Sequence, residues 1–164
     1  SCDLDLMEAL DPIINTLEKK IRAQAKNHNA KAFSILQTTP GIGDILALTV
    51  LYEMHTVYRF PSVQNFSSYC RVLRCERTSN GKATGAGNSK IGNPYLKWAF
   101  DQIIIKAQSQ SPLIKKYYDK LIRKYGFRKA RGIMGHKFAV AIYYMLKNGQ
   151  AFDEQKFLSA MYKL

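Results

Sequence analysis

Apolar residues recur at intervals of three and four along almost the whole chain, and two such runs open on a capping residue followed by proline. Asn93-Pro94 precedes Leu96, Ala99, Phe100, Ile103, Ile104 and Ala107. Ser111-Pro112 precedes Leu113, Tyr117 and Leu121, and Gly126 follows as a stop. A side-chain acceptor at the N-cap and a ring that fixes φ at the first helical position are strong start signals. Ser62 caps a shorter run containing Phe66, Tyr69 and Cys70, and a long one carries Ala130, Met134, Phe138, Ala141, Ile142 and Met145 up to Asn148-Gly149. Asp153 is placed to cap a last short helix. No alternation of period two lasts six residues, so the expected fold is all-α, a compact multi-helix domain. A chain of 164 residues buries roughly 68–70% of its unfolded surface, enough for a core without metal or disulfide staples.

The first run, Leu6, Leu10, Ile13, Leu17 and Ile21, has the same spacing but is flanked by charged and amide residues. It predicts an amphipathic helix over 1–29, either a coiled-coil arm or a linker to a further domain, with the helical domain proper over 30–164. Such a stripe ordinarily faces a core or a partner helix. Asp11-Pro12 offers a second possible start for this helix. The chain opens at Ser1 without methionine and enters a periodic segment almost at once, as expected of a piece of a longer protein.

A short helix is expected over 31–37, then Pro40-Gly41-Ile42-Gly43, then an apolar run through Leu46, Ala47, Val50 and Leu51. Two glycines between two helices make a helix-hairpin-helix-like turn. Backbone N–H groups of Gly41 and Gly43 would then face phosphate oxygens whatever the base. The alternative is a plain tight turn between packed helices, and Asp44 places a negative charge beside those amides.

Charge points to a polyanionic partner. The chain carries 25 Lys and Arg against 12 Asp and Glu, a formal charge of +13, and self-repulsion of that size is relieved by nucleic acid. Residues 71–92 form a glycine-rich basic loop with Arg71, Arg74, Arg77, Lys82 and Lys90 against Glu76 alone. A loop so long and so poor in apolar residues usually has a task. The densest positive stretch is Lys115, Lys116, Lys120, Arg123, Lys124, Arg128, Lys129, Arg131 and Lys137, opposed by Asp119. These residues, with the two glycines, are the candidate nucleic-acid contacts.

Other classes find less support. Cys2, Cys70 and Cys75 follow no metal spacing and read as free thiols of a reducing, intracellular compartment. No apolar run approaches the roughly 18 residues of a membrane span, and no secretory signal stands at the start. No acidic cluster could hold catalytic metals, so no cofactor is expected in this chain.

The ordered set Pro40-Gly41-Ile42-Gly43, Phe60, Ser79, Ser89-Lys90-x-Gly92-Asn93, Leu96-Lys97, the basic stretch and the helix of Tyr143 resembles a known group. It is similar, from about Leu36 to Phe152, to the C-terminal domain of insertion-sequence transposases related to the Piv DNA invertase. That group includes the bridge-RNA-guided recombinases. The resemblance implies DNA strand exchange by a two-part enzyme. A ribonuclease-H-like N-terminal domain would bind divalent metal (magnesium), and this domain would donate a serine that attacks DNA phosphate. Ser79 matches the family serine, although the family reads Ser-Gly where this chain has Ser79-Asn80-Gly81. Ser89 is the alternative. The implied partners are DNA, a structured guide RNA, the N-terminal domain and further copies in a homo-oligomer, in the bacterial cytoplasm at the nucleoid.

From the residues alone the chemistry stays open. A serine among arginines attacks a phosphodiester if it loses its proton and the developing charge is compensated, for which Arg74, Arg77 and Lys82 are the sequence-local candidates. An autonomous binding module without chemistry, or an assembly domain pairing through its first helix, fits the same residues. The chain alone is expected to bind DNA and not to recombine it.

Overall fold

The structure is a computed structural model that describes residues 2–73, 76–79, 82–86 and 91–159. Helix α1 (Cys2–Gln37) is followed by α2 (Asp44–Met54), a 3-10 turn (Val57–Arg59) and α3 (Val63–Tyr69). Two short strands, β1 (Glu76–Ser79) and β2 (Lys82–Ala86), come next. The chain then forms α4 (Pro94–Gln110), α5 (Pro112–Tyr125), α6 (Phe127–Asn148) and α7 (Glu154–Ser159). The fold is all-α with one added ribbon.

The start and stop signals act as expected. Asn93 Oδ1 accepts hydrogen bonds from the amides of Tyr95 and Leu96, Ser111 Oγ from Ile114, and Ser62 Oγ from Asn65. Each satisfies a donor that the first helical turn leaves without a partner. Asp153 Oδ1 takes the amide of Lys156 in the same way. Gly149 ends α6 in the left-handed conformation at φ 65°.

Helix α6 is the centre of the packing, touching α1, α3, α4 and α5. Its Ala130, Met134, Phe138, Ala139, Ile142 and Tyr143 are buried. They meet Leu96, Ala99, Phe100, Ile103, Ile104 and Ala107 of α4 and Phe66 of α3 within one core. Full burial of an aromatic or large aliphatic side chain contributes about 1.5–3 kcal/mol. An aromatic cluster ties α3 to α6: Phe66 lies 6.0 Å from the Tyr143 ring and 5.2 Å from Phe60. The Tyr143 hydroxyl donates to the Phe60 carbonyl at 3.1 Å. That bond keeps a buried phenol satisfied and holds the turn before α3 against α6.

Four expectations change. The stripe Leu6, Leu10, Ile13, Leu17 and Ile21 is not core: these residues are 42–60% exposed. Helix α1 runs unbroken through Pro12 and is interrupted only at Asn29, whose φ −160° and ψ 66° are non-helical. Asn29 Oδ1 then accepts the amide of Ala32 and caps the following turns. On α5 the buried face is Ile114, Tyr118 and Leu121, whereas Leu113 stands 55% exposed. The two stripes lie one residue apart on the same helix, and only docking against α4 and α6 chooses between them. Within 71–92, the basic loop of the sequence reading contains an antiparallel pairing, with a register irregularity between Arg77 and Thr78.

Candidate nucleic-acid interface

Helices α5 and α6 meet at Gly126, whose φ of 78° suits a glycine that turns the chain sharply between two helices. The V they form has an open groove of about 1060 Å³ on one side. Lys120, Lys124, Arg128, Lys129 and Lys137 line it, and among the described residues no acidic side chain does. Val72, Leu73, Tyr117, Leu121, Tyr125, Gly132, Ile133 and His136 complete the lining. Helical spacing explains the set. Residues 117, 120, 121 and 124 share one face of α5, and 129, 132, 133, 136 and 137 share one face of α6.

The fold divides the basic stretch into three. Five cations enter the groove. Lys115, Lys116 and Arg123 line a second recess along α5 together with Asp119, and Lys120 borders both. Arg131 leaves the patch: its Nε donates to Asp101 Oδ1 at 2.9 Å, and Lys97 reaches the same carboxylate oxygen at 3.3 Å. Arg131 is therefore a bridge from α6 to α4.

Lys137 is the unusual member. Its Nζ is buried with no hydrogen-bond partner among the described residues, and it sits 5.4 Å from the Tyr117 ring centre. Burial lowers its pKa, and that of His136, because the charged form loses hydration. An anion entering the groove would supply the partner that this ammonium lacks. Lys124 Nζ lies 5.0 Å from the Tyr125 ring, and a hydrogen bond with the Tyr125 side chain raises its pKa. Tyr117, Tyr125, Leu73 and His136 were missed as site residues. They are ordinary helix or loop positions until the V brings them together.

The Gly41–Gly43 turn behaves differently at its two ends. Gly41 has φ 87°, and a Cβ there would stand 2.5 Å from the Ala107 nitrogen and 2.7 Å from the Ile103 carbonyl. Its own N–H donates to Gln110 Oε1 at 2.7 Å. Glycine at 41 thus serves close packing against α4, and its amide is not available to phosphate, contrary to expectation. Gly43 is exposed with open space around it. The start of α2 beyond it carries Asp44, which accepts from Gln37 at 2.6 Å and pairs with Arg22 at 3.3 Å.

The excursion bearing both candidate serines leaves and rejoins the body at one point. Arg71 Nη2 donates to the Gly92 carbonyl at 2.8 Å, and the Asn93 amide to the Tyr69 carbonyl at 2.7 Å. Arg71, expected as a nucleic-acid contact, thus contributes one donor to this neck. Register sets Ser79 across from Lys82 and Arg77 across from Gly85. Arg74, Ser89 and Lys90 lie outside the described residues, as do the side chains of Arg77, Ser79 and Lys82. Among the described residues no three His, Cys, Asp or Glu come together to hold a metal ion. None of the described helices is long and apolar enough to cross a membrane.

Residues 33–119, more than half of the chain, match the family model described as Transposase IS116/IS110/IS902 family. No curated protein matches the chain.

Proposed function

The chain belongs to the IS116/IS110/IS902 family of transposases, and from that footing we propose that it is the DNA-gripping, serine-donating part of an insertion-sequence transposase. The observation that carries the grip is the α5–α6 groove, lined among the described residues by five cations and no acid. Cations so placed neutralise phosphates and release counterions without reading base sequence.

The chemical half of the proposal rests on the match of Ser79 to the family serine, with Ser89 as the alternative. The seryl oxygen attacks phosphorus, the phosphorus–oxygen bond to the leaving sugar breaks, and the seryl proton ends on that sugar oxygen. The covalent phosphoserine link keeps the strand ready for rejoining. A sugar hydroxyl of the exchanged strand then reverses the step and frees the serine. Cationic groups near the attacked phosphate lower the barrier by compensating its charge, and the register of Lys82 opposite Ser79 favours Lys82 for that task. Acidic ligands for a divalent metal would come from a separate ribonuclease-H-like domain. A structured guide RNA and a homo-oligomer belong to the same reading.

The test is strand exchange by the full-length protein, with a trap for protein joined covalently to DNA. Ser79→Ala should abolish both readouts and leave DNA affinity nearly unchanged, since one neutral hydroxyl adds little beside many charge-assisted contacts. Ser89→Ala should retain more activity. If Ser79→Ala still forms the covalent species and Ser89→Ala does not, the serine is Ser89. If both variants recombine, the serine mechanism falls and the chain is a basic helical clamp.

A further inference from the structure

The α5–α6 groove has a feature that a grip on duplex backbone does not use: much of its lining is apolar or aromatic. Leu73, Leu121, Ile133, Tyr117 and Tyr125 line it together with the basic residues. Leu73 is 36% and Tyr125 40% exposed. A duplex keeps its bases stacked on one another and offers phosphates and groove edges, so aromatic rings in the groove would meet nothing they bind well. A single strand offers base faces and phosphates together, and proteins that hold one combine a positive groove with aromatic platforms.

We propose that this groove takes an unpaired stretch of DNA, with a base laid against its apolar and aromatic lining, Tyr125 included, and its phosphates on the lining cations. The proposal rests on the nucleic-acid reading above and narrows it to one state of the strand. Three observations converge. The groove volume of about 1060 Å³ reaches the upper end of single-ligand pockets, about 300–1,000 Å³, which leaves room for more than one nucleotide unit. The Lys137 ammonium, buried without a hydrogen-bond partner among the described residues, awaits an anion inside the groove and not only at its edge. Membership of a transposase family points to DNA as the strand handled. DNA is therefore the strand proposed.

The experiment measures the affinity of this chain for four probes of equal length: oligodeoxythymidine, the same strand made abasic, a duplex, and oligouridine. The abasic strand keeps the charge and removes the base. Oligodeoxythymidine should bind at least about fivefold tighter than the abasic strand. Tyr125→Ala should weaken it by at least about fivefold, the low end of one base–ring stack. The same variant should change abasic and duplex affinity by less than about twofold. Tyr125→Phe, which keeps the ring, should restore binding. Leu73→Ser reads the same lining from a different element, should the tyrosine variant fail to fold.

The inference is overturned if the abasic strand binds as tightly as the base-bearing one, or if Tyr125→Ala weakens duplex binding equally. It is overturned for DNA if the tyrosine effect appears with oligouridine alone. A change in the protein's own sedimentation with Tyr125→Ala, without a change in DNA affinity, makes the groove a contact between copies. If instead no probe binds and salt has no effect, the nucleic-acid reading itself falls, and this inference with it.

Discussion

The Arg71 guanidinium reaches across the base of the segment that carries Ser79 and donates to the Gly92 carbonyl at 2.8 Å. The closure is built on backbone that few residues could adopt. Arg71 itself has φ 55° and Gly92 has φ 103°. A Cβ at position 92 would stand 2.6 Å from the Tyr69 carbonyl oxygen and 3.1 Å from Arg71 Cγ. The two ends of the excursion are thereby pinned beside Asn93, the cap of α4, whose Nδ2 also donates to Glu53 at 2.6 Å.

Gly92→Ala should therefore destabilise the protein by about 1–3 kcal/mol, since the strained φ and a rigid carbonyl oppose the methyl group together. Urea denaturation reads it. An unchanged midpoint would mean that the neck is looser than its contacts imply.

The two glycines of the Pro40-Gly41-Ile42-Gly43 turn should separate cleanly. Gly41→Ala drives a methyl group into the backbone of α4 at Ala107 and should cost about 2–4 kcal/mol, in the range of severe core overpacking. Gly43→Ala meets open space at φ −91° and should stay within about 0.5 kcal/mol. Equal effects in thermal or urea unfolding would refute the close approach of the turn to α4.

Arg128 and Arg131, three residues apart on α6, should lose different things. Arg128→Ala removes a groove cation, so its DNA affinity should fall and the slope of log affinity against log salt should flatten by about 0.9. Arg131→Ala breaks the bridge to Asp101 and should appear as about 1 kcal/mol of lost stability, with the slope nearly kept. The reverse pattern would show that Arg131 faces phosphate.

His136 should make stability fall on acidification. Burial lowers its folded pKa below the ordinary imidazole value of about 6.5. Between the two values the unfolded chain binds the proton more readily, so stability is complete above about 6.5 and is lost as pH falls toward the folded pKa. Compared with His136→Gln, the wild type should lose more stability between pH 8 and 5. A nuclear magnetic resonance titration placing the ring above 6.5 would contradict this.

Local signals told much of this in advance, because caps and apolar periods act over three or four residues. Asn93-Pro94, Ser111-Pro112 and Gly149 needed no tertiary help to mark helix ends. The ribbon shows in the sequence only through its turn: Asn80-Gly81 between two short runs is a strong two-residue hairpin signal. Its strands carry lysine, arginine, threonine and glycine in place of alternating apolar residues, and so left no period of two to notice.

What the sequence by itself determined was the all-α class, most helix boundaries, the charge and the family. Each is set by composition or by neighbours along the chain. Tertiary structure alone decided which of nine basic residues share a groove, because residues on one helix face are separated by several positions and meet a second helix only after docking. It likewise turned Arg131 inward to Asp101, buried Ile114 in place of Leu113, and gave the Gly41 amide to Gln110, which is distant in sequence. Side chains find such partners only once packing has fixed which face of each helix is inside.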